Sequence, residues 1–232
     1  MDVYKAAEVR PGVWAIDERT GRMYLVTGAE RAVLIDSGYG GGDIRAFIKA
    51  LYDGPVTLVH THAHSDHTGC DGLFEEVWAT RAEWPALLQA GVPQERLQEL
   101  REGDVIDLGD RKLCVMETPG HTAGSASFFD AENRLLFSGD NVSDKTVYLS
   151  MPGADMQAYR QTLARFWTMY PAWETLLGHH GRPEQPVEQL RRMMAITDAV
   201  LADQLKPVRV NAWGDVWFGK VELDGASLFL PE

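Results

Sequence analysis

The sequence predicts a mixed α/β protein, and three patterns support that fold class. Short apolar runs rich in β-branched residues recur between polar turns, which is typical of strands. Three longer segments carry their apolar residues at helical spacing instead. The order of strands followed by a helix occurs twice, and no linker separates the two halves. We therefore expect a single domain over residues 1–232, built from two halves of similar plan.

The first half opens with predicted strands at 12–17, 22–28 and 31–38. An amphipathic helix follows, whose apolar face is formed by Ile44, Phe47, Ile48 and Leu51. Asp43 is its expected N-cap, and Gly54-Pro55 is the expected stop. The apolar, β-branched segment 56–60 then predicts a buried strand that runs directly into a histidine-rich loop.

The remaining elements are expected as follows. Weaker helical patterns lie at 80–91 and 93–101, and stronger ones at 154–170 and 184–205. Further strands are predicted at 104–109, 112–120, 125–130, 134–140 and 173–178. The tail, 211–230, indicates short strands joined by turns, with a hairpin signal in "LDGAS" at 223–227.

Composition narrows the class of partner. The chain has 34 acidic and 22 basic residues and a net charge of −12. Nucleic-acid binding depends on basic groups that neutralise phosphates, so this balance favours a small-molecule substrate instead. The N-terminus lacks the pattern of a secretory signal, and no apolar run approaches the ~18 residues of a membrane span. We expect a cytoplasmic protein without a membrane partner, with Cys70 and Cys114 as small apolar residues.

The histidines indicate one shared site. All seven lie where an apolar, strand-like segment gives way to a glycine-containing loop. Loops at the ends of buried strands hold functional groups on a rigid scaffold. The seven are His60, His62, His64, His67, His121, His179 and His180.

The segment 62–67 has the spacing H-x-H-x-D-H. In an extended backbone, side chains at i and i+2 project the same way, and the following Asp-His pair turns toward a second point. Imidazole nitrogens and aspartate oxygens are ligands for divalent metals. One short loop can therefore supply two ligands to each of two metal ions, provided that distant loops complete both sites.

With these motifs in this order, the sequence resembles the metallo-β-lactamase fold superfamily from about residue 24 to residue 182. The motifs are Asp36-Ser37-Gly38, the complete 62–67 segment, Pro119-Gly120-His121-Thr122, Gly139-Asp140 and Gly178-His179. The stretch 118–140 is similar in particular to the glyoxalase II-like branch. The resemblance implies a four-layer αββα sandwich, with two mixed β-sheets face to face and helices on the outer faces.

The resemblance also implies the metal ligands. They are His62, His64 and His121 for one ion, Asp66, His67 and His179 for the other, and Asp140 as a bridge. The family has one histidine in its last motif, so His180 is an alternative to His179. The implied cofactor is Zn²⁺, two ions per chain, with Fe²⁺ or Mn²⁺ as alternatives. Asp36 is implied to be structural, and His60 either orients a ligand or is a satisfied buried histidine.

The implied function is a metallo-hydrolase that attacks a small ester, thioester or lactone with a metal-bound hydroxide. Two metal ions lower the pKa of a shared water from about 15.7 toward about 7. Asp66 is the expected catalytic residue, because it can orient that nucleophile. Candidate substrate contacts are Tyr39, Lys145 and Tyr148. The tail aromatics Trp213, Trp217 and Phe218 either cap the pocket or pack on the sheets.

The sequence alone leaves other functions open. A mononuclear iron persulfide dioxygenase would use His62, His121 and Asp140. A non-catalytic ligand-binding member of the fold would have no chemical reason to keep every ligand. A glutathione thioester is disfavoured because the tail is β-like and not helical, and a β-lactam is disfavoured because no export signal is present.

Overall fold

The computed structural model describes residues 3–231, so residues 1–2 and 232, at the ends of the predicted domain, lie outside the described residues. Its first sheet has seven strands that lie side by side in sequence order. They are β1 (Lys5–Arg10), β2 (Val13–Glu18), β3 (Gly21–Thr27), β4 (Ala32–Ile35), β5 (Val56–Val59), β6 (Val77–Thr80) and β7 (Leu97–Leu100). Neighbours from β1 to β4 pair antiparallel, and neighbours from β4 to β7 pair parallel.

The second sheet has six strands. Strand β12 is not one of them, because it belongs to a third sheet formed with the tail. The six are β8 (Val105–Asp107), β9 (Lys112–Glu117), β10 (Ala126–Asp130), β11 (Leu135–Gly139), β13 (Thr175–Gly178) and β14 (Glu184–Gln185). Their spatial order is β14-β13-β11-β10-β9-β8. Only the β11–β13 pair is parallel among these described strands, so this sheet is mixed as well.

Four α-helices lie within residues 3–231. They are α1 (Ile44–Lys49), α2 (Trp84–Gln89), α3 (Met156–Met169) and α4 (Val187–Leu201). The side chain of Asp43 accepts a hydrogen bond from the amide of Ala46, as expected for the N-cap of α1. Asp155 caps α3 in the same way through the amide of Ala158. No described helix combines the length and apolarity that crossing a membrane requires.

Three apolar clusters separate the layers. The middle cluster lies between the two sheets, where Tyr24 of β3 and Phe137 of β11 meet with ring centroids 5.3 Å apart. The second covers the other face of the first sheet and includes the buried apolar residues of α1 and α2. The third covers the other face of the second sheet and includes those of α3 and α4. The expected αββα sandwich with two mixed sheets is therefore confirmed.

The tail forms a third sheet of four strands in the order β12-β17-β16-β15. Its strands are β12 (Val147–Tyr148), β15 (Val208–Trp213), β16 (Val216–Leu223) and β17 (Ala226–Leu230). Val221 and Leu228 belong to the same apolar cluster as the buried residues of α4. The expected hairpin is confirmed: Asp224 and Gly225 both have positive φ in a two-residue turn, which matches the right-handed twist of the flanking strands.

The helical prediction for residues 93–101 is wrong. A single 3₁₀ turn at 94–96 is followed by β7, which pairs parallel with β6. Leu97 and Leu100 are buried in this arrangement. Burial against the sheet has outweighed a weak local preference for helix, as tertiary contacts often do.

Strand direction brings the predicted site motifs to one place. β4 and β5 run parallel, and Asp36 and His60 follow their ends. β9, β11 and β13 also share one direction, and the loops with His121, Asp140 and His179 follow them. Because parallel strands end at the same edge of a sheet, each sheet presents its motifs on one edge.

Arg111 links the two sheets through buried contacts. Its Nε lies 3.2 Å from the carboxylate of Asp130, and both side chains are buried. Its guanidinium also donates hydrogen bonds to the carbonyls of Pro11 (2.8 Å) and Gly12 (3.3 Å), in the turn between β1 and β2.

We expect Arg111→Met to lower the free energy of unfolding by about 3 kcal/mol, because it leaves the Asp130 carboxylate buried beside no cation. The neighbouring Lys112→Met should leave stability nearly unchanged, since the Lys112–Asp107 pair is exposed. Urea unfolding of the two variants measures the difference. Equal effects would contradict the linking role of Arg111.

Candidate metal centre

Three imidazoles converge at the ends of β5 and β9. His62 Nε2 lies 3.0 Å from His64 Nδ1, and His121 Nε2 lies 3.1 Å from each of these atoms. Nitrogens around a tetrahedral Zn²⁺ are separated by about 3.3 Å, given Zn–N distances of about 2.0–2.1 Å. The three nitrogens therefore face a common point in the geometry that a metal ion requires.

The protonation state of this trio also fits a metal. Burial, reinforced by neighbouring histidines, lowers the pKa of His62 well below its usual value, and burial lowers the pKa of His64 as well. Burial lowers the pKa of His121 to about 4. All three are thus neutral near pH 7, and neutral imidazole is the form that coordinates metals.

A second group combines carboxylates and imidazoles. His180 Nε2 lies 3.2 Å from Asp66 Oδ2 and 3.4 Å from Asp140 Oδ2. His67 Nε2 lies 3.6 Å from Asp140 Oδ1. Asp140 also faces the first group, with Oδ2 3.5 Å from His121 Nε2. The same carboxylate therefore borders both groups.

Two buried polar atoms of this second group lack a hydrogen-bond partner among the described residues, namely His67 Nε2 and Asp140 Oδ1. Buried polar atoms are normally paired, so an unpaired one needs an explanation. Both atoms face one another across the group at a distance too long for a hydrogen bond. A divalent cation between them would satisfy both.

Charge is balanced inside the second group. Burial alone would raise the pKa of Asp140, but the imidazoles of His180 and His67 hold it well below its usual value. Conversely, burial alone would lower the pKa of His180, yet the Asp140 carboxylate outweighs burial and raises it to about 12. The carboxylates, with Asp36 foremost, likewise raise the pKa of His67 to about 10 against the effect of burial. Protonated imidazoles thus compensate the buried carboxylates of this group.

The two adjacent histidines after β13 differ in placement. His180 points Nε2 at the carboxylates, while its Nδ1 lies 2.9 Å from the carbonyl oxygen of Thr20. Ligating histidines are usually held by such a bond on the other ring nitrogen. His179 instead stacks on His67, with centroids 3.6 Å apart, and a Cβ at Gly21 would lie 2.5 Å from its Nε2. Burial lowers the pKa of His179 to about 3, and both of its buried ring nitrogens lack a hydrogen-bond partner among the described residues. His179 thus also belongs to the candidate ligand group with Asp66, His67 and His180.

Asp36 supports the loop that carries the predicted metal ligands. Its carboxylate accepts hydrogen bonds from the amide and hydroxyl of Thr61 (both 2.8 Å) and lies 2.8 Å from His67 Nδ1. The bond to Nδ1 leaves His67 Nε2 directed into the second group. Asp36 therefore has the structural position that the sequence implies.

His60 is a buried histidine whose two ring nitrogens both contact carboxylates, and one of these carboxylates belongs to Asp36. Its Nε2 lies 2.9 Å from Asp71 Oδ1, and its Nδ1 lies 3.4 Å from Asp36 Oδ1. Burial alone would lower the pKa of His60, but the two carboxylates, Asp71 first, raise it to about 9. Its contact with Asp36 couples it to His67 without bringing it into either ligand group.

Glu83 is a buried residue of the site region that the sequence analysis missed. Its carboxylate accepts hydrogen bonds from the amide of Ala63 (2.8 Å), the hydroxyl of Thr122 (2.7 Å) and the amide of Gly124 (2.9 Å). It therefore joins the His62–His64 loop to the loop after His121. No local pattern distinguishes it, because it lies inside the segment predicted as a weak helix.

The two groups form the floor of a cleft of about 1440 Å³. Asp66, Asp140 and His180 line it, together with the sequence-predicted substrate contacts Tyr39, Lys145 and Tyr148. Of the three tail aromatics, Trp213 lines the cleft, while Trp217 and Phe218 are not among its described lining residues.

We expect Glu83→Gln to weaken metal binding by about tenfold or more, the range for residues that support metal ligands. A glutamine amide would direct N–H groups at the N–H and O–H donors that Glu83 now accepts from. Competition with a chromogenic chelator measures the affinity, with the exposed Glu76→Gln as the control. Unchanged metal affinity in a folded Glu83→Gln protein would contradict this role.

Known proteins of similar sequence identify the family. Residues 16–201 match the metallo-beta-lactamase superfamily. A Gallus gallus protein named acyl-coenzyme A thioesterase MBLAC2 is 34% identical, over 88% of this chain and 79% of that protein. A hydroxyacylglutathione hydrolase from Chelativorans sp. (strain BNC1) is 30% identical, over 56% of this chain and 47% of that protein. The resemblance to the glyoxalase II-like branch is confirmed.

Solved structures of similar fold agree. A metallo-beta-lactamase from Pontibacter korlensis superposes with a TM-score of 0.74 at 21% identity, covering 84% of this chain and 99% of that chain. Metallo-beta-lactamase IND-7 gives a TM-score of 0.73 at 16% identity, covering 85% and 99%. Such identities show the fold alone. The sequence matches and the His/Asp ligand groups together show that the chain belongs to the metallo-beta-lactamase superfamily and is a metallo-hydrolase.

Proposed function

We propose that this enzyme hydrolyses thioesters with two Zn²⁺ ions per chain. The observation that carries the proposal is the pair of converging ligand groups that share Asp140 at the floor of the cleft. The names of two relatives, an acyl-coenzyme A thioesterase and a hydroxyacylglutathione hydrolase, support the thioester class.

The proposed ligands are the three clustered imidazoles for one ion, and an aspartate with two histidines for the other, with one carboxylate shared. They are His62, His64 and His121, then Asp66, His67 and His180, and Asp140 between them. We prefer His180 to the sequence-based choice His179, because the Nε2 of His180 lies nearer Asp66 (3.2 Å against 3.8 Å), is also 3.4 Å from Asp140, and its Nδ1 is held by the carbonyl of Thr20.

Bound zinc would supply a Lewis acid and ionise water near neutral pH. Residues of the chain would orient the water and contact the substrate. Asp66 lies at the cleft surface, and its carboxylate can accept a hydrogen bond from the attacking water and so orient it. Tyr148 lines the same floor, and burial raises the pKa of its phenol, so it keeps its proton and can donate to a substrate oxygen.

A thiolate is the leaving group that depends least on a proton donor in the cleft. Burial would raise the pKa of Asp66, but His67 and its neighbours lower it, and Asp140 is shifted the same way. Both carboxylates are therefore proton acceptors before the reaction. An amine or alkoxide leaves poorly without a proton, whereas a thiol has a pKa of about 8.5 and can leave as the anion.

The charges around the cleft favour an anionic carrier thiol. Lys5, Arg19 and Lys145 line the cleft although the chain's net charge is −12. No ion pair with a carboxylate is described for these three among residues 3–231, whereas Arg22 is paired with Asp17 at 2.7 Å. A carrier with phosphates or carboxylates would complement this side.

The test combines metal content with turnover. We expect two zinc ions per chain by mass spectrometry of metals, and chelator-sensitive cleavage of an acetyl-coenzyme A thioester that exceeds cleavage of the same acetyl group on an uncharged thiol. His180→Ala should lose one ion and about 100-fold or more of the activity, as expected for a lost metal partner. His179→Asn should keep both ions.

Three outcomes would contradict the proposal. One is a metal-loaded protein that cleaves no thioester. Another is a single iron with oxygen consumption, which would favour the dioxygenase reading. The third is loss of metal in His179→Asn with retention in His180→Ala, which would restore the sequence-based ligand.

A further inference from the structure

The wall of the cleft includes a part of the chain outside the family match. That match ends at residue 201, whereas β15, β16 and β17 follow it. Trp213, the last residue of β15, nevertheless lines the cleft together with the metal-site residues. The third sheet therefore contributes to the site and is not merely an appendage on α4.

Trp213 is the exposed edge of an aromatic cluster. Its ring centroid lies 5.7 Å from that of Tyr148 and 5.6 Å from that of Phe218. Tyr148 in turn lies 4.7 Å from Phe229, and Phe218 and Phe229 are buried. Trp213 remains 48% exposed. The cluster fixes the indole from one side and leaves apolar surface open toward the cleft.

This apolar surface adjoins the metal groups. Tyr148 and Trp213 line the same cleft as Asp66 and His180. A ligand bound at the metal groups therefore has aromatic surface within the same cleft.

The cleft lining also carries three cations, Lys5, Arg19 and Lys145. Lys5 lies opposite Asp17 in the β1–β2 register, and the Arg19 guanidinium lies over the ring of Tyr39. The stem of Lys145 lies beside Gly181, whose carbonyl accepts a hydrogen bond from Arg22. Among the described ring contacts, none of these cations lies over the rings of Tyr148 and Trp213.

We propose that Trp213 and Tyr148 form an acyl-binding wall, which makes the enzyme selective for thioesters with an extended apolar acyl group. The inference rests on the proposed thioester hydrolysis. A thioester has two arms on either side of its reacting carbonyl, and the carbonyl must lie at the metal groups. The anionic carrier arm suits the lining cations, and the exposed apolar surface of Trp213 and Tyr148 suits the acyl arm.

Trp217 provides a matched control. It lies in the same hairpin and is 41% exposed, close to the exposure of Trp213. The guanidinium of Arg209 covers its ring at 4.7 Å, and Trp217 is not among the described residues that line the cleft. Removing either indole takes a similar side chain from the hairpin, but only one removal alters the cleft.

The experiment measures kcat/KM for coenzyme A thioesters whose acyl groups contain two to twelve carbons. For the wild type, each methylene that contacts the wall should raise kcat/KM by up to about fourfold. Trp213→Ala should lower the ratio of long-chain to acetyl kcat/KM by about tenfold or more, mainly through KM. Trp213→Phe should retain part of the preference, and Trp217→Ala should retain all of it.

The outcomes separate this inference from the proposed function. Cleavage of acetyl-coenzyme A without any dependence on chain length would overturn the acyl wall and leave the thioesterase proposal standing. Equal ratios in Trp213→Ala and Trp217→Ala would overturn it as well. If the wild type cleaves no thioester of any length, both proposals fail together.

Discussion

Charge compensation between buried carboxylates and buried imidazoles is the interaction on which the centre of this protein depends. Asp140 is buried and ionised, which is costly unless positive charge is near. His67 and His180 supply that charge. The Asp36 carboxylate fixes the ring of His67 through the contact with His67 Nδ1. His67 Nε2 and Asp140 Oδ1 stand 3.6 Å apart, and neither has a hydrogen-bond partner among the described residues. A bound cation would satisfy both, and the imidazoles would then be needed only as neutral donors.

The fold makes this arrangement possible by aligning strand ends. Ligand loops come from both sheets, and the apolar layer between the sheets fixes the distance between their edges. Glu83 then joins the loop of His62 and His64 to the loop after His121 through hydrogen bonds from both loops. Ligands far apart in the chain are thus positioned by secondary structure and by one buried carboxylate.

The sequence predicts the parts of this protein that depend on local spacing. The 62–67 segment, the N-cap of α1 and the "LDGAS" hairpin can each be predicted from residues a few positions apart, and the motif order indicates the fold. Other features depend on tertiary contacts. The orientation of His180 depends on the carbonyl of Thr20, which is distant in the sequence. Glu83 meets Thr122 only when the loop after β6 packs against the loop after β9. Strand β7 forms because pairing with β6 buries its leucines. Trp213 reaches the cleft because the tail strands pair with β12, which carries Tyr148.

The most direct measurement of the central claim is a crystal structure of the zinc-loaded enzyme with anomalous diffraction data collected at the zinc edge. Two peaks are expected, one bounded by His62, His64 and His121, and the other contacted by Asp66, His67 and His180, with Asp140 between them. A single peak, or a second ion held by His179 in place of His180, would contradict the account.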